Sequence, residues 1–223
     1  MFDLGLDIDF DFDIEPNFLD INAVIRKNEK KERVMIDFAS GTKQLMTALK
    51  DFDKNKEYRF ISNGKGFSSI NFIDFVVKKF GRIKRLYVST LGVGKKHIEH
   101  LAELPIDYAF FVFSGIFKDS KIISEYGYYS IFTDICKTKN WGYCSAKNHS
   151  KIILMQTENN EHFVVECSAN LNENPKIEQF AFQEDKELFG WYLDFFEAMK
   201  ANAADTDGGL NRARRYVTGG RRR

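Results

Sequence analysis

Two triplets of this chain carry side chains that could handle a phosphate: His149-Ser150-Lys151 and, one hairpin later, Ser168-Ala169-Asn170, with Glu178 beyond them. An imidazole can attack phosphorus or move a proton, and an ammonium or a carboxamide can hold anionic oxygens. In an extended strand, residues two apart share a face, so His149 and Lys151 are expected to project together, as are Ser168 and Asn170. A histidine alone in a strand is more often a structural, hydrogen-bonded residue. Lys151 argues otherwise. An ammonium beside an apolar strand costs on the order of several kcal/mol in desolvation unless an anion or partner compensates.

The surrounding pattern supplies a frame. Residues 152–155 and 163–165 are apolar runs separated by a polar turn at 156–161, which predicts two buried strands. Upstream, strands are predicted at 33–38, 58–62, 83–90 and 108–114. Helices are predicted at 41–51, at 67–80 closed by Gly81, at 95–104 halted by Pro105, within 119–139, and at 185–200. In the last helix Leu188, Trp191, Tyr192, Phe195, Phe196 and Met199 read as a core stripe. Alternating strands and helices imply an α/β layer fold with helices on both faces of the sheet.

With 223 residues, 43% of them hydrophobic and 22 of them Phe, the chain can build one sizeable core. Its net charge of +1 gives no global case for a polyanionic partner, but the ends are polarised. Residues 1–30 form an acidic arm. Within it, Phe2, Leu4, Leu6, Ile8, Phe10, Phe12 and Ile14 alternate with acidic residues, which suits either a poorly ordered segment or an added edge strand. Residues 201–223 form an Arg/Gly-rich basic tail, read as disordered, with Arg212, Arg214, Arg215, Arg221, Arg222 and Arg223 available to phosphates. Residues 31–200 are left as the folded domain. The three cysteines lack metal-ligand spacing, and neither a signal peptide nor a bilayer-length apolar run is visible, so a reducing, cytoplasmic setting is expected. His97-Ile98-Glu99-His100 lacks a third ligand at recognisable spacing, and Gly92-Val93-Gly94-Lys95-Lys96 lacks P-loop spacing.

The H-x-K triplet at His149 and Lys151, followed by Ser168-x-Asn170 and then Glu178, resembles the signature of the phospholipase D superfamily, particularly its small single-motif endonuclease branch. Two positions depart from it: Gln156 stands where the family carries Asp, and Cys167 where it carries Gly. The resemblance implies a phospholipase D-like mixed sheet flanked by helices, and phosphodiester hydrolysis through a phosphohistidine on His149 without metal or other cofactor. It implies that Lys151 and Asn170 hold the phosphate oxygens, Ser168 positions the phosphate or the imidazole, and Glu178 orients the imidazole. H-x-K occurs once, so the resemblance further implies a homodimer that joins two His149 side chains. Nucleic acid is the expected substrate, with no membrane partner. The alternatives are a catalytically impaired DNA-binding module and a phospholipid hydrolase.

Overall fold

The computed structural model describes residues 31–39, 42–62, 67–114, 128–172 and 176–204. The acidic arm and the arginines of the basic tail lie outside them. In chain order the elements are β1 (Glu32–Ala39), α1 (Thr42–Ala48), β2 (Lys56–Ser62), α2 (Ile70–Phe80), β3 (Ile83–Thr90), α3 (Lys95–Glu103) and β4 (Ile106–Ser114). They continue with α4 (Tyr128–Lys139), β5 (Gly142–Ala146), β6 (Ile152–Thr157), β7 (His162–Cys167), β8 (Glu178–Glu184) and α5 (Lys186–Ala204).

The strands form one mixed eight-stranded sheet in the order β1-β2-β8-β7-β6-β3-β4-β5. β1/β2, β3/β4 and β4/β5 pair in parallel, and the central β2/β8, β8/β7, β7/β6 and β6/β3 pairs are antiparallel. The central strands are apolar at consecutive positions because both faces are covered. Leu86, Val88, Phe111, Phe113, Ile153, Met155, Phe163 and Val165 point to one face, under α1 to α4. Tyr87, Phe110, Val112, Leu154 and Val164 point to the other, under Phe189 and Phe196 of α5. The α/β class with helices on both faces is therefore as the sequence led us to expect.

On the first face Phe52, Phe72, Phe75, Phe80, Phe163 and Phe182 interlock in edge and stacked contacts. Each fully buried phenyl contributes about 1.5–3 kcal/mol of transfer free energy. Gly81, at φ 90°, closes α2 and turns the chain into β3, a backbone conformation that an L side chain would strain. At the start of β5, a Cβ on Gly142 would lie 2.7 Å from the Phe110 ring, so only glycine packs there without displacement.

α5 is held over its face by specific bonds. Asp185 Oδ1 accepts the Glu187 and Leu188 amides at 3.0 and 2.9 Å, capping the helix. Tyr87 Oη donates to Glu197 Oε1 at 3.1 Å, and Tyr192 Oη donates to Glu166 Oε1. The expected core stripe is corrected here. Trp191 and Phe195 are 54% and 37% exposed, while Phe189 is buried. The helix rests on Phe189 and Phe196, seven residues apart, and this spacing rotates Trp191 and Phe195 to its flank. β5 and β8 were not anticipated. β5 lacks a run of strong strand formers, and β8 has only Phe180-Ala181-Phe182 between polar ends.

Candidate active site

All the motif residues lie at one end of the sheet. Register places Ser62 opposite Glu178, Cys167 opposite Phe180, Ile152 opposite Glu166 and Ser89 opposite Ile152. The carboxyl ends of β2, β3 and β7 thus meet the starts of β6 and β8. Ligands of open α/β sheets bind at the carboxyl ends of such strands.

His149 and Lys151 come together, but not by strand pleating as expected. β6 begins only at Ile152, and residues 148–151 lie outside any strand, where a side chain makes the turn. The buried Asn148 carboxamide makes it: Oδ1 accepts the Ser150 amide at 3.0 Å. This is an Asx-turn, in which a side chain replaces a backbone acceptor. Lys151 Nζ then reaches back, donating to His149 O at 2.6 Å and lying 3.1 Å from His149 Nδ1. A charged ammonium can only donate, so Nδ1 accepts and the proton of a neutral imidazole sits on Nε2. Lys151 O accepts the Cys167 amide at 3.2 Å, which ties the end of β7 to the turn.

Burial lowers the Lys151 pKa from the ordinary lysine value, and the Glu178 charge partly offsets it. The imprint is that of a cation held where an anion would pay back its desolvation. Cys167 is the opposite case. Burial pushes its thiol up to about 12, and Sγ donates to Ala169 O at 3.3 Å, so it stays protonated at neutral pH and is no competing nucleophile.

Ser168 and Asn170 lie just past the end of β7 and turn to different neighbours. Ser168 faces β8: its amide donates to Gln179 O at 3.1 Å, its Oγ accepts the Gln179 amide at 3.0 Å, and it donates to Glu178 Oε2. Asn170 faces β3, where its Oδ1 accepts the Leu91 amide at 3.1 Å. The loop after β3 is stapled to the same segment. Thr90 Oγ1 accepts the Leu171 amide at 3.1 Å, and the Gly94 amide donates to Leu171 O at 3.2 Å.

Gln156 is not part of this end. It lies five residues along β6 from Lys151, about 17 Å at strand rise, and Nε2 donates to Asn160 Oδ1 in the distal turn at 2.8 Å. His162 is also distal, and His100 Nε2 is 2.7 Å from Asp74 Oδ1. The residues that sequence reasoning missed are Asn148, Ser150, Ser89, Thr90 and Leu91. The available signal was an Asx-turn former directly before the histidine, and Ser89-Thr90 at a strand end. Among the described residues, no three His, Cys, Asp or Glu side chains cluster as a metal site, and no helix is long and apolar enough to cross a membrane.

No protein-family model and no curated protein matches this chain. Solved structures do resemble it. Nuc, a phospholipase D family member from Salmonella typhimurium, superposes at TM-score 0.45 with 10% identity, over 64% of this chain and 92% of that one. Yeast tyrosyl-DNA phosphodiesterase superposes at 0.33 with 12% identity, over 45% of this chain and 25% of that one. TrmBL2, an archaeal chromatin protein with a novel mode of DNA binding, superposes at 0.40 with 9% identity, over 70% and 56%. All three lie below a TM-score of 0.5.

Proposed function

We propose that the chain is a phospholipase D-type phosphodiesterase acting on nucleic acid, without a metal, through a phosphohistidine on His149. The observation that carries this reading is the Lys151 ammonium, lowered in pKa by burial and lying 3.1 Å from the His149 ring. An incoming phosphodiester supplies an anion in direct contact, where the Glu178 charge offsets the cost of burial only in part. Lys151 swings from His149 to a non-bridging oxygen, which releases Nδ1 to take the ring proton and leaves Nε2 as the attacking nitrogen. An N–P bond forms as the P–O bond to the leaving alcohol breaks. Water then attacks phosphorus, the N–P bond breaks, and the imidazole is regenerated.

Asn170 supports the same step. With its oxygen engaged by the Leu91 amide, its Nδ2 is the end available to donate to the second non-bridging oxygen. Ser168, bonded to Glu178, is suited to orient the phosphate, and the Glu178 charge balances Lys151 once the diester has left. Protonation of the leaving oxygen needs a second acid. H-x-K occurs once, and a two-fold dimer that brings His149 of a second copy to the same phosphate supplies it. The six arginines of the tail favour a polyanionic substrate over a lipid headgroup.

The test is cleavage of a labelled DNA and RNA panel in excess EDTA by wild type and His149→Ala, with sedimentation to set the oligomeric state. EDTA-resistant cleavage that disappears in the variant, by a dimer, is the expected result. Clean wild-type protein that binds nucleic acid but cleaves none of it would convert the reading to a binding module.

A further inference from the structure

We propose that Asn148, Ser150 and Ser89 form a closed hydrogen-bonded ring whose task is to position His149 and Lys151. This makes them positioning residues for the phosphodiester chemistry, a claim that rests on the functional reading above. Three contacts define the ring. Asn148 Nδ2 donates to Ser89 Oγ at 2.9 Å, Ser89 Oγ and Ser150 Oγ are 2.5 Å apart, and Ser150 Oγ donates to Asn148 Oδ1 at 2.7 Å.

The direction of the ring has one solution. A carboxamide nitrogen only donates and its oxygen only accepts. The Ser150 hydrogen therefore goes to Oδ1, the Ser89 hydrogen goes to Ser150 Oγ, and the Nδ2 hydrogen goes to Ser89 Oγ. Each hydroxyl donates once and accepts once, so every link polarises the next. The other Nδ2 hydrogen has Val112 O at 3.0 Å and Thr90 O at 3.2 Å as acceptors, on β4 and β3.

Asn148 and Ser89 are buried, at 9% and 1% exposure, whereas His149 is exposed and Lys151 half-buried. The polar side chains of residues 148 and 150 thus turn inward to the ends of β3 and β4, while His149 between them turns outward and the half-buried Lys151 reaches back to it. The turn is anchored at every second residue. That division of labour holds an exposed imidazole in place without burying it, which the attack on phosphorus requires. Fold stability alone would be served by apolar side chains at 89 and 150.

The experiment compares Ser150→Ala, Ser150→Thr and Ser89→Ala with wild type in the full chain. Three readouts are taken: kcat and KM on a phosphodiester oligonucleotide, the melting temperature, and the imidazole NMR signals, with His149 assigned by His149→Ala. Ser150→Ala and Ser89→Ala are expected to lower kcat about 10–100-fold with KM within about 2-fold, as a displacement near 1 Å does. They are also expected to broaden or split the His149 signals while those of His97, His100 and His162 stay in place. Ser150→Thr, which restores the hydroxyl, is expected to recover both. A lower melting temperature with unchanged kcat and an unchanged His149 spectrum overturns the proposal. If wild type turns over no diester, the functional reading fails by itself, and the His149 spectrum alone still decides whether the ring fixes the imidazole.

Discussion

Asn170 turns its carbonyl oxygen toward Leu91, accepting the backbone amide at 3.1 Å across the gap between β7 and the end of β3. One end of the carboxamide is therefore structural, and the proposed reaction assigns the other to the phosphate. Asn170→Asp separates the two. It keeps an acceptor for Leu91, removes the donor, and faces the phosphate with a like charge. We expect kcat/KM to fall about 10²–10³-fold, as for loss of one oxyanion donor, with the melting temperature close to wild type. Kinetics and a thermal melt check this. A large loss of stability with chemistry intact would mean the amide is structural only.

Lys151 sets function against stability. Its lowered pKa means that the folded chain holds this proton less tightly than the unfolded chain does. Between the folded value and the ordinary value near ~10.4 the unfolded state carries more protons, so stability rises with pH across that window. Below it, at neutral pH, the cost of holding this half-buried charge is present in full. Lys151→Met should accordingly raise the melting temperature, by about 2–4 °C for each kcal/mol recovered, while abolishing turnover. In wild type, the alkaline limb of kcat/KM should fall at a lower pH than an unperturbed lysine gives. A Lys151→Met protein less stable than wild type at pH 7 would contradict the argument.

The layer order and most helices were legible because burial on both faces writes long apolar runs, as in Phe110-Phe111-Val112-Phe113. β8 escaped because three apolar residues within seven do not distinguish a strand from a loop, and its membership is settled by pairing with β2 and β7. Of the residues singled out in the sequence, His149, Lys151, Ser168, Asn170 and Glu178 do gather at one end of the sheet. Their geometry was not legible. Alternation along a strand predicted a shared face, whereas the Asn148 side chain bends the chain there, and Ser168 and Asn170 diverge toward β8 and β3. Side-chain to backbone bonds of that kind depend on which strand ends lie nearby, and local periodicity does not carry that information.

His162 predicts an acid weakness unrelated to the site. It is buried, its ring packs edge-on to Phe189 at 4.8 Å, and burial lowers its pKa from the ordinary histidine value, with Glu184 opposing and Lys186 reinforcing the shift. Protonation therefore favours the unfolded chain. Its contribution is fully present above the unfolded value near ~6.5 and is lost as pH falls through the window below it. In urea melts at pH 7 and pH 5, His162→Phe should lose less stability on acidification than wild type does. Equal losses in the two proteins would show that the carboxylates alone set the acid limb.

Gln156→Asp tests whether the departure at this position marks a retired enzyme. The side chain sits in the distal turn, bonded to Asn160 and about 17 Å of strand from Lys151. No electrostatic or steric path of short range joins it to His149. Asp loses the donor to Asn160, but position 156 lies opposite Arg85 on β3, and an opposite-charge cross-strand pair returns about 0.2–1 kcal/mol. The two changes roughly offset. We expect kcat and KM within about 2-fold of wild type and a melting temperature within about 2 °C, taking a net effect below 1 kcal/mol. A gain of tenfold or more in turnover would show that position 156 controls the chemistry from a distance, and the wild-type glutamine would then count as an inactivating change.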